Sequence, residues 1–258
     1  MLRLRKNREE TTLFAGGKHP SFRDFINYGT ETSMSRALSQ WIDRGHTEFT
    51  SRFGTAYQGV SWRFWSRGND WDTIAWGVLK ASSDSIGRCY PLLILAQDRI
   101  SNRNDIWDRL PTGLDEGWKR MEQLTAMRFT TAQMFQDELA RLSRSVLKWK
   151  ESLWKEPDDK SGRITPELEE YMNTAWTALK SEELTVLTLP LKEIPPGPEE
   201  LFDPVAAWHL YFRSRWPEPP LASFAGGMAA EPRLVFFKRP LAHEDFTTLW
   251  SISTDNKD

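Results

Sequence analysis

Two apolar stretches separated by a short polar turn set the first limit on the fold. Residues 74–82 (IAWGVLKAS) and residues 88–96 (RCYPLLILA) flank DSIG at 84–87. Strand-forming residues on both sides of a turn with Asp and Gly are typical of an antiparallel hairpin. Pro91 lacks the N–H that a central sheet ladder needs, so we expect it at a strand start, an edge or a bulge. The alternating residues 60–65 (VSWRFW) predict another strand before the hairpin.

The middle of the sequence has the periodicity of helices. An apolar stripe with spacings of three and four runs along residues 130–154 and predicts one long helix. A second helix is predicted to begin at Thr165 and Pro166, because a threonine N-cap followed by proline is a typical helix start. We expect these two helices to form a long central pair. A shorter apolar face over residues 33–42 predicts a helix that packs on a sheet.

Both ends of the sequence predict further strands. Residues 12–15 (TLFA) have the character of a strand, and Gly16 and Gly17 are expected to make a tight turn after it. Near the other end, LASFA and RLVFFK (233–238) are expected to form a hairpin that turns at a second glycine pair. A helix capped by Asp203 precedes this hairpin, and a short helix around HEDFTTLW follows it. Strands before and after a helical block predict one mixed, largely antiparallel sheet covered by helices.

The chain is long enough for one large α/β domain, and we expect residues 1–258 to form a single domain. Residues 187–204 hold five of the fifteen prolines and predict an extended connector, the best internal boundary. The predicted parts are a tail (1–11), a strand-rich part (12–110), a helical part (111–186), the proline-rich connector (187–204), a C-terminal helix with strands (205–250) and a second tail (251–258).

The charge balance and the single cysteine limit the function classes. The 34 basic and 36 acidic residues give a net charge of −2, so the chain lacks the basic field that holds a phosphate backbone. Cys89 cannot form an intramolecular disulfide, which favours a reducing compartment. The longest apolar run, residues 89–96, is far below the roughly 20 residues of a membrane-spanning helix, and the first ten residues lack the apolar core of a secretory signal. We expect a cytoplasmic protein without nucleic-acid partners or membrane insertion.

Several chemically active residue types crowd into GGKHPSFRDF at residues 16–25. The glycine pair and Lys18 could cradle a phosphate, but a Walker A loop reads GxxxxGK followed by Ser or Thr, and this segment does not. His19, Ser21 and Asp24 are the residue types of a catalytic triad, yet proximity in sequence does not establish one. The sequence contains no GxSxG elbow, HExxH motif or Cys/His cluster. We therefore predict no enzyme activity, no metal site and no cofactor.

The turn between the two apolar stretches has two interpretations. In the structural one, Asp84 accepts backbone N–H groups, Gly87 adopts positive φ and Arg88 reaches back to a carboxylate. In the alternative, Arg88 and Asp24 share a polar surface that a partner protein recognises. The sequence does not separate the two.

These segments resemble the TagF/ImpM family of proteins associated with bacterial type VI secretion. The first block has the family pattern G-K-x-P-x-x-x-D-F, carried by Gly17, Lys18, Pro20, Asp24 and Phe25. The second block has the W-R-F segment and the G-V-x-x-x-S-x-D-x-x-G-R-x-(Y/F)-P-L pattern, carried by Trp62, Arg63, Phe64, Gly77, Val78, Ser82, Asp84, Gly87, Arg88, Tyr90, Pro91 and Leu92. The clear resemblance covers roughly residues 12–97, with a weaker similarity near the end of the chain.

The resemblance implies a three-layer α/β/α sandwich and a cytoplasmic accessory protein without catalysis. For characterised relatives it implies a post-translational repressor of type VI secretion that acts through a forkhead-associated scaffold protein. An assembly or recruitment factor of the same apparatus is the alternative, and a small-ligand or nucleotide-binding domain is a second. The candidate motif or partner-contact residues are Gly17, Lys18, Pro20, Asp24, Phe25, Trp62, Asp84, Gly87, Arg88 and Pro91.

Overall fold

An eight-stranded sheet forms the centre of the computed structural model, which describes residues 11–54, 59–68, 72–100, 106–153, 164–178, 184–192, 194 and 203–251. Its strands are β1 Thr12–Gly17, β2 Ile26–Gly29, β3 Ser61–Arg67, β4 Thr73–Lys80, β5 Leu92–Arg99, β6 Val186–Pro190, β7 Ala222–Met228 and β8 Glu231–Phe237. They lie in the order β2-β1-β5-β4-β3-β7-β8-β6. All seven strand pairings in these ranges are antiparallel, so the predicted antiparallel character is confirmed and the parallel pair of a mixed sheet is absent from them.

Helices cover both faces of the sheet. They are α1 Ser33–Phe53, α2 Leu110–Ala126, which follows a 3₁₀ turn at Trp107–Arg109, α3 Ala132–Leu153, α4 Pro166–Ala178, α5 Pro204–Arg213 and α6 His243–Trp250. Helices α1 and α6 pack together over one face, and α2, α3, α4 and α5 contribute to the core on the other. The three-layer α/β/α sandwich is therefore confirmed.

Strand β3 contributes side chains to the hydrophobic cores on both faces of the sheet. Trp62 and Phe64 point to the layer of α1 and α6, whereas Trp65 points to the layer of α2 and α5. All three side chains are buried, because alternate residues of a strand face opposite sides of a sheet that is covered twice. Burying an aromatic side chain of this size contributes about 1.5–3 kcal/mol, so the tryptophan-rich composition supports two cores.

The prediction that α3 and α4 form a central helix pair is wrong in its choice of α4 as the partner of α3. Helix α3 forms close to the predicted bounds, but its main partner among the described helices is α2, and α4 packs on α5 instead. The buried residues of α2 include Leu114, Trp118 and Met121, which have the three- and four-residue spacing of a helix. The sequence contained this signal, and the prediction overlooked it.

Two predicted glycine turns are also wrong, and the first residues of the predicted extended connector belong to the sheet. Gly16 and Gly17 lie inside β1, and the glycine pair at 226–227 lies inside β7, whose hairpin with β8 turns at residues 229–230. The predicted extended connector (187–204) begins within β6, which pairs with β8 at the edge of the sheet, and its residues 193 and 195–202 lie outside the described residues. The predicted helix start at Asp203 is confirmed, since its Oδ1 accepts from Val205 N at 2.8 Å.

Candidate functional site

The two sequence blocks meet at one end of the sheet. Gly17 pairs with Leu92 across β1 and β5, directly after Pro91. The backbones approach so closely that a Cβ on Gly17 would lie 2.0 Å from the Pro91 carbonyl oxygen, and Gly17 has φ +117°. Pro91 stands just before β5, as predicted for a strand start. Gly17 therefore permits strand contact, and the loop begins at Lys18.

Lys18 is the first residue of this loop, and its side chain turns inward. Its Nζ atom lies 3.2 Å from Oδ2 of Asp84 and donates to the Arg88 carbonyl oxygen at 3.2 Å. The same ammonium group lies 5.1 Å from the ring centroid of Phe25. Since Lys18 is buried and its charge is compensated by Asp84, it offers no open cradle for a phosphate. This geometry opposes the nucleotide alternative at Gly16–Lys18.

Asp84 is a buried carboxylate that organises the hairpin turn. Its Oδ1 accepts from the N–H groups of Ile86 (3.2 Å) and Arg88 (2.9 Å), and its Oδ2 accepts from Arg88 Nε at 2.6 Å. Burial by itself would raise the pKa of Asp84, but these hydrogen bonds and Lys18 more than offset that effect and hold the pKa well below its usual range. Gly87 has φ +86°. The structural interpretation of this turn is confirmed.

Arg88 links the buried carboxylate to the surface. Its Nη2 atom donates to the Arg23 carbonyl oxygen at 2.6 Å and lies 3.4 Å from Oδ1 of Asp24. The side chains of Arg88 and Asp24 are 52% and 85% exposed. Hydrogen bonding to Asp84 raises the pKa of Arg88, so the group stays charged. Arg88 therefore contributes to both features considered for this turn. Its Nε atom bonds to the buried Asp84, and its Nη2 atom lies beside the exposed Asp24.

Two large apolar side chains stand exposed beside this ion pair. Phe25 is 59% exposed and Ile86 is 58% exposed. Phe25 packs edge-on against Tyr90, with 4.7 Å between ring centroids, and the Tyr90 hydroxyl donates to Asp43 on α1. Burial and this carboxylate raise the pKa of Tyr90. We call the exposed set Asp24, Phe25, Ile86 and Arg88 the motif surface.

The ten candidate residues divide equally by exposure. Gly17, Lys18, Trp62, Asp84 and Pro91 are buried, and Pro20, Asp24, Phe25, Gly87 and Arg88 are exposed. Trp62 lies in the core of the α1 layer, so as a partner-contact residue it is a wrong assignment. Lys18 and Asp84 hold the exposed residues in place, and Gly17 and Pro91 lie where β1 meets the start of β5.

His19 and Ser21 serve the packing of the helical layer. His19 is fully buried, its Nε2 donates to the Leu124 carbonyl oxygen at 3.1 Å, and its Nδ1 accepts from Ser21 N at 3.1 Å. Burial lowers the pKa of His19. The Ser21 hydroxyl accepts from Phe129 N at 2.9 Å, while Asp24 turns to Arg88. The three residue types of a triad are therefore not brought together.

Sequence reasoning missed two residues of this region. Ile86 lies at the tip of the turn, where an apolar residue between polar neighbours is the available signal. Asp43 lies on α1 and supports Tyr90 from a distant part of the chain, for which the sequence carries no signal. In the described part of the chain, no group of three or more His, Cys, Asp or Glu residues could hold a metal ion. None of its helices is long and apolar enough to cross a bilayer.

Comparisons with known proteins agree with this architecture. The family model of the TagF N-terminal domain, described as type VI secretion system-associated, matches residues 15–144. The crystal structure of PA0076 from Pseudomonas aeruginosa PAO1 is similar in fold, with a TM-score of 0.53 and 15% identity over 92% of this chain and 93% of that chain. Comparison with curated protein sequences gives no significant match. The matched range contains both sequence blocks and the whole motif surface.

Proposed function

Because this chain belongs to the TagF family of type VI secretion system-associated proteins, we propose that it is a non-enzymatic regulator that binds a protein of the secretion apparatus through the motif surface. The proposed partner is the forkhead-associated scaffold that the family resemblance implies, and the proposed effect is repression of secretion. Binding would take place in the cytoplasm and needs no cofactor.

The observation that carries this proposal is the exposure of Phe25 and Ile86 around a supported Arg88. Aromatic residues and arginine are enriched at the energetic centres of protein interfaces. The buried Asp84 and Lys18 fix the loop and the turn that present these side chains, so little conformational freedom would be lost on binding. A backbone hydrogen bond, from Ser85 N to the Phe22 carbonyl oxygen at 2.8 Å, also joins the same two segments.

A direct binding measurement tests the contact. The purified scaffold of the same secretion system would be titrated with the wild type and with the variants Phe25→Ser and Ile86→Ser. We expect each variant to weaken binding by more than about tenfold, as for residues near an interface centre. Met134 is 47% exposed on α3, so Met134→Ser is a matched control that should bind as the wild type does. Equal affinity of all four proteins would refute the proposed surface.

A secretion assay separates the repressor from the assembly factor. Deletion of the gene should raise secretion under resting conditions if the protein is a repressor. If it is an assembly or recruitment factor, deletion should lower secretion instead. Complementation with Phe25→Ser should reproduce the deletion, and complementation with Met134→Ser should restore the wild-type level.

A further inference from the structure

The connection between α2 and α3, residues 127–131, lies at the same end of the sheet as the motif surface. The last turn of α2 reaches the end of β4, because Lys80 Nζ donates to the Thr125 hydroxyl at 3.3 Å. Lys80 is the last residue of β4, and the turn organised by Asp84 follows directly along the chain. Helix α2 thus ends, and the connection begins, close to the turn of the motif surface.

Side-chain and backbone contacts hold the connection against the loop that follows β1. The Ser21 hydroxyl of this loop accepts from Phe129 N at 2.9 Å, and the rings of Phe22 and Phe129 are nearly parallel, with 6.5 Å between their centroids. The Phe22 carbonyl oxygen accepts from Ser85 N of the turn at 2.8 Å. Phe22 therefore contacts both other segments, and the loop, the turn and the connection form one continuous surface.

The connection exposes a large apolar side chain and a basic one. Met127 is 42% exposed and Arg128 is exposed, whereas the next residue, Phe129, is buried against the loop. Two other large apolar side chains, Phe25 and Ile86, are exposed at the same end of the sheet. Met127 therefore extends the apolar part of the motif surface beyond the two original sequence blocks.

The large exposed side chains of the three segments have the composition of a protein interface. Arginine, methionine and aromatic residues are enriched at interfaces, whereas lysine, glutamate and aspartate are depleted. The set consists of Arg23, Phe25, Ile86, Arg88, Met127 and Arg128. The loop, the turn and the connection contribute two residues each, so the connection belongs to this surface as much as the other segments do.

Two of the arginines carry charge without a partner. The aspartates of the motif blocks compensate Lys18 and Arg88, but within the described ranges no carboxylate pairs with Arg23 or Arg128. Asp43 of α1 accepts from a tyrosine hydroxyl at this end and pairs with neither arginine. The whole chain has a net charge of −2, so this unpaired positive charge is a local feature. Charge of this kind favours a partner whose facing surface is acidic.

We propose that the surface that binds the secretion protein extends across the α2–α3 connection to Met127 and Arg128, and that the partner contributes carboxylates to Arg23 and Arg128. This inference rests on the proposed function, since it enlarges the same contact surface and defines the chemistry of the partner. The apolar side chains would be buried against the partner, and the planar guanidinium groups would pair with its carboxylates.

Photo-crosslinking in the native bacterium tests the extent of the surface. Benzoylphenylalanine would replace Phe25, Met127 or, as a control, the exposed Met134 in the full chain, and mass spectrometry would identify each adduct. We expect the scaffold to be captured from positions 25 and 127 and not from 134. Capture of one other protein from both positions would support the extended surface and refute the scaffold as partner. Capture from position 25 alone would overturn the extension and leave the proposed function standing, and capture from neither position would overturn both.

A charge reversal tests the chemistry of the partner. The purified protein captured from position 25 would be titrated with the wild type, Arg128→Glu and Arg128→Lys. We expect Arg128→Glu to weaken binding at least about threefold, because repulsion replaces an ion pair, and Arg128→Lys to weaken it less. Higher salt should reduce the difference between the wild type and Arg128→Glu, since ions screen exposed charges.

Arg120 provides the matched control for this reversal. It is an exposed arginine of α2 that lies before the last turn of the helix, so Arg120→Glu makes the same charge change outside the proposed surface. We expect its affinity to equal that of the wild type, and circular dichroism would verify the fold of each variant. Equal affinity of Arg128→Glu and the wild type, or an equal loss in Arg120→Glu, would overturn the acidic contact at Arg128.

Discussion

The Nζ atom of Lys18 lies 3.2 Å from Oδ2 of Asp84, and this ion pair joins the loop after β1 to the turn between β4 and β5. The exposed fractions of the two side chains are 8% and 0%. Because water is largely excluded, the pair depends on its geometry and on the other donors to Asp84. Buried Lys18 of the first block and buried Asp84 of the second thus support the surface that the exposed residues form.

The same substitution at two aspartates should affect the stability of the protein very differently. Asp84→Asn removes a buried negative charge that compensates both Lys18 and Arg88, so we expect the variant to be clearly destabilised. Asp24 is a highly exposed partner of the same arginine, and Asp24→Asn should change the free energy of unfolding by no more than about 0.5 kcal/mol.

Urea denaturation of the wild type and both aspartate variants measures this difference. Binding to the purified scaffold gives the second readout, in which folded Asp24→Asn should bind more weakly than the wild type. Similar stability of the two variants would contradict the division into supporting and contacting residues.

Lys18→Met should destabilise the protein by a moderate amount. The methionine keeps the apolar stem but removes a charged donor to Asp84 and to the Arg88 carbonyl oxygen. Hydrogen bonds to charged groups contribute about 1.5–3 kcal/mol, and we expect a loss in this range because Arg88 and two backbone N–H groups still hold Asp84. Urea denaturation at pH 7 measures the loss, which should be smaller than that of Asp84→Asn. A loss below 0.5 kcal/mol, the usual range for surface substitutions, would show that the pair is not a support.

His209 should make stability depend on pH. Its Nδ1 donates to the Val205 carbonyl oxygen at 2.7 Å, and its Nε2 accepts from Trp65 Nε1 at 3.1 Å. Complete burial lowers the pKa of His209 to about 3. Below the ordinary pKa of about 6.5 the unfolded chain binds a proton that the folded chain does not, so the contribution of His209 is complete above pH 6.5 and falls as the pH decreases toward 3.

The expected loss from His209 between pH 7 and pH 5 is about 2 kcal/mol, at about 1.4 kcal/mol per pH unit below 6.5. His209→Gln cannot titrate, so its unfolding free energy should fall less over the same interval. Denaturation at both pH values measures the difference. An equal fall in His209→Gln would show that this histidine is not the source.

Local signals in the sequence were sufficient for several elements. The turn at Asp84, the strand start after Pro91 and the helix start at Asp203 all follow from residues within a few positions of one another. Each depends on a short-range steric or hydrogen-bonding rule, so the predictions were confirmed. The likeness of the motif blocks to a known family also predicted the α/β fold, which the structure confirms.

Long-range contacts were beyond the same reasoning. Local sequence does not show whether a glycine permits positive φ in a turn or a close approach of two strands. At position 226 in β7 a glycine is needed because a Cβ there would lie 2.2 Å from the Ser61 carbonyl oxygen. The contact of Lys18 with Asp84 and the support of Tyr90 by Asp43 arise from the strand order β1-β5-β4 and from the path of α1. Nothing near these residues in sequence specifies either partner.

Two motif glycines should respond differently to the addition of one methyl group. Gly87 has φ +86° and open space around its Cβ position, so Gly87→Ala should cost only the backbone strain of about 1–2 kcal/mol. Gly17 has φ +117° and faces the Pro91 carbonyl oxygen, so Gly17→Ala adds overpacking of about 1–3 kcal/mol to a similar strain. Urea denaturation of both variants against the wild type tests this order. Equal losses would mean that β1 and β5 can separate at Gly17 without cost, and a larger loss for Gly87→Ala would place the tighter constraint in the turn instead of between the strands.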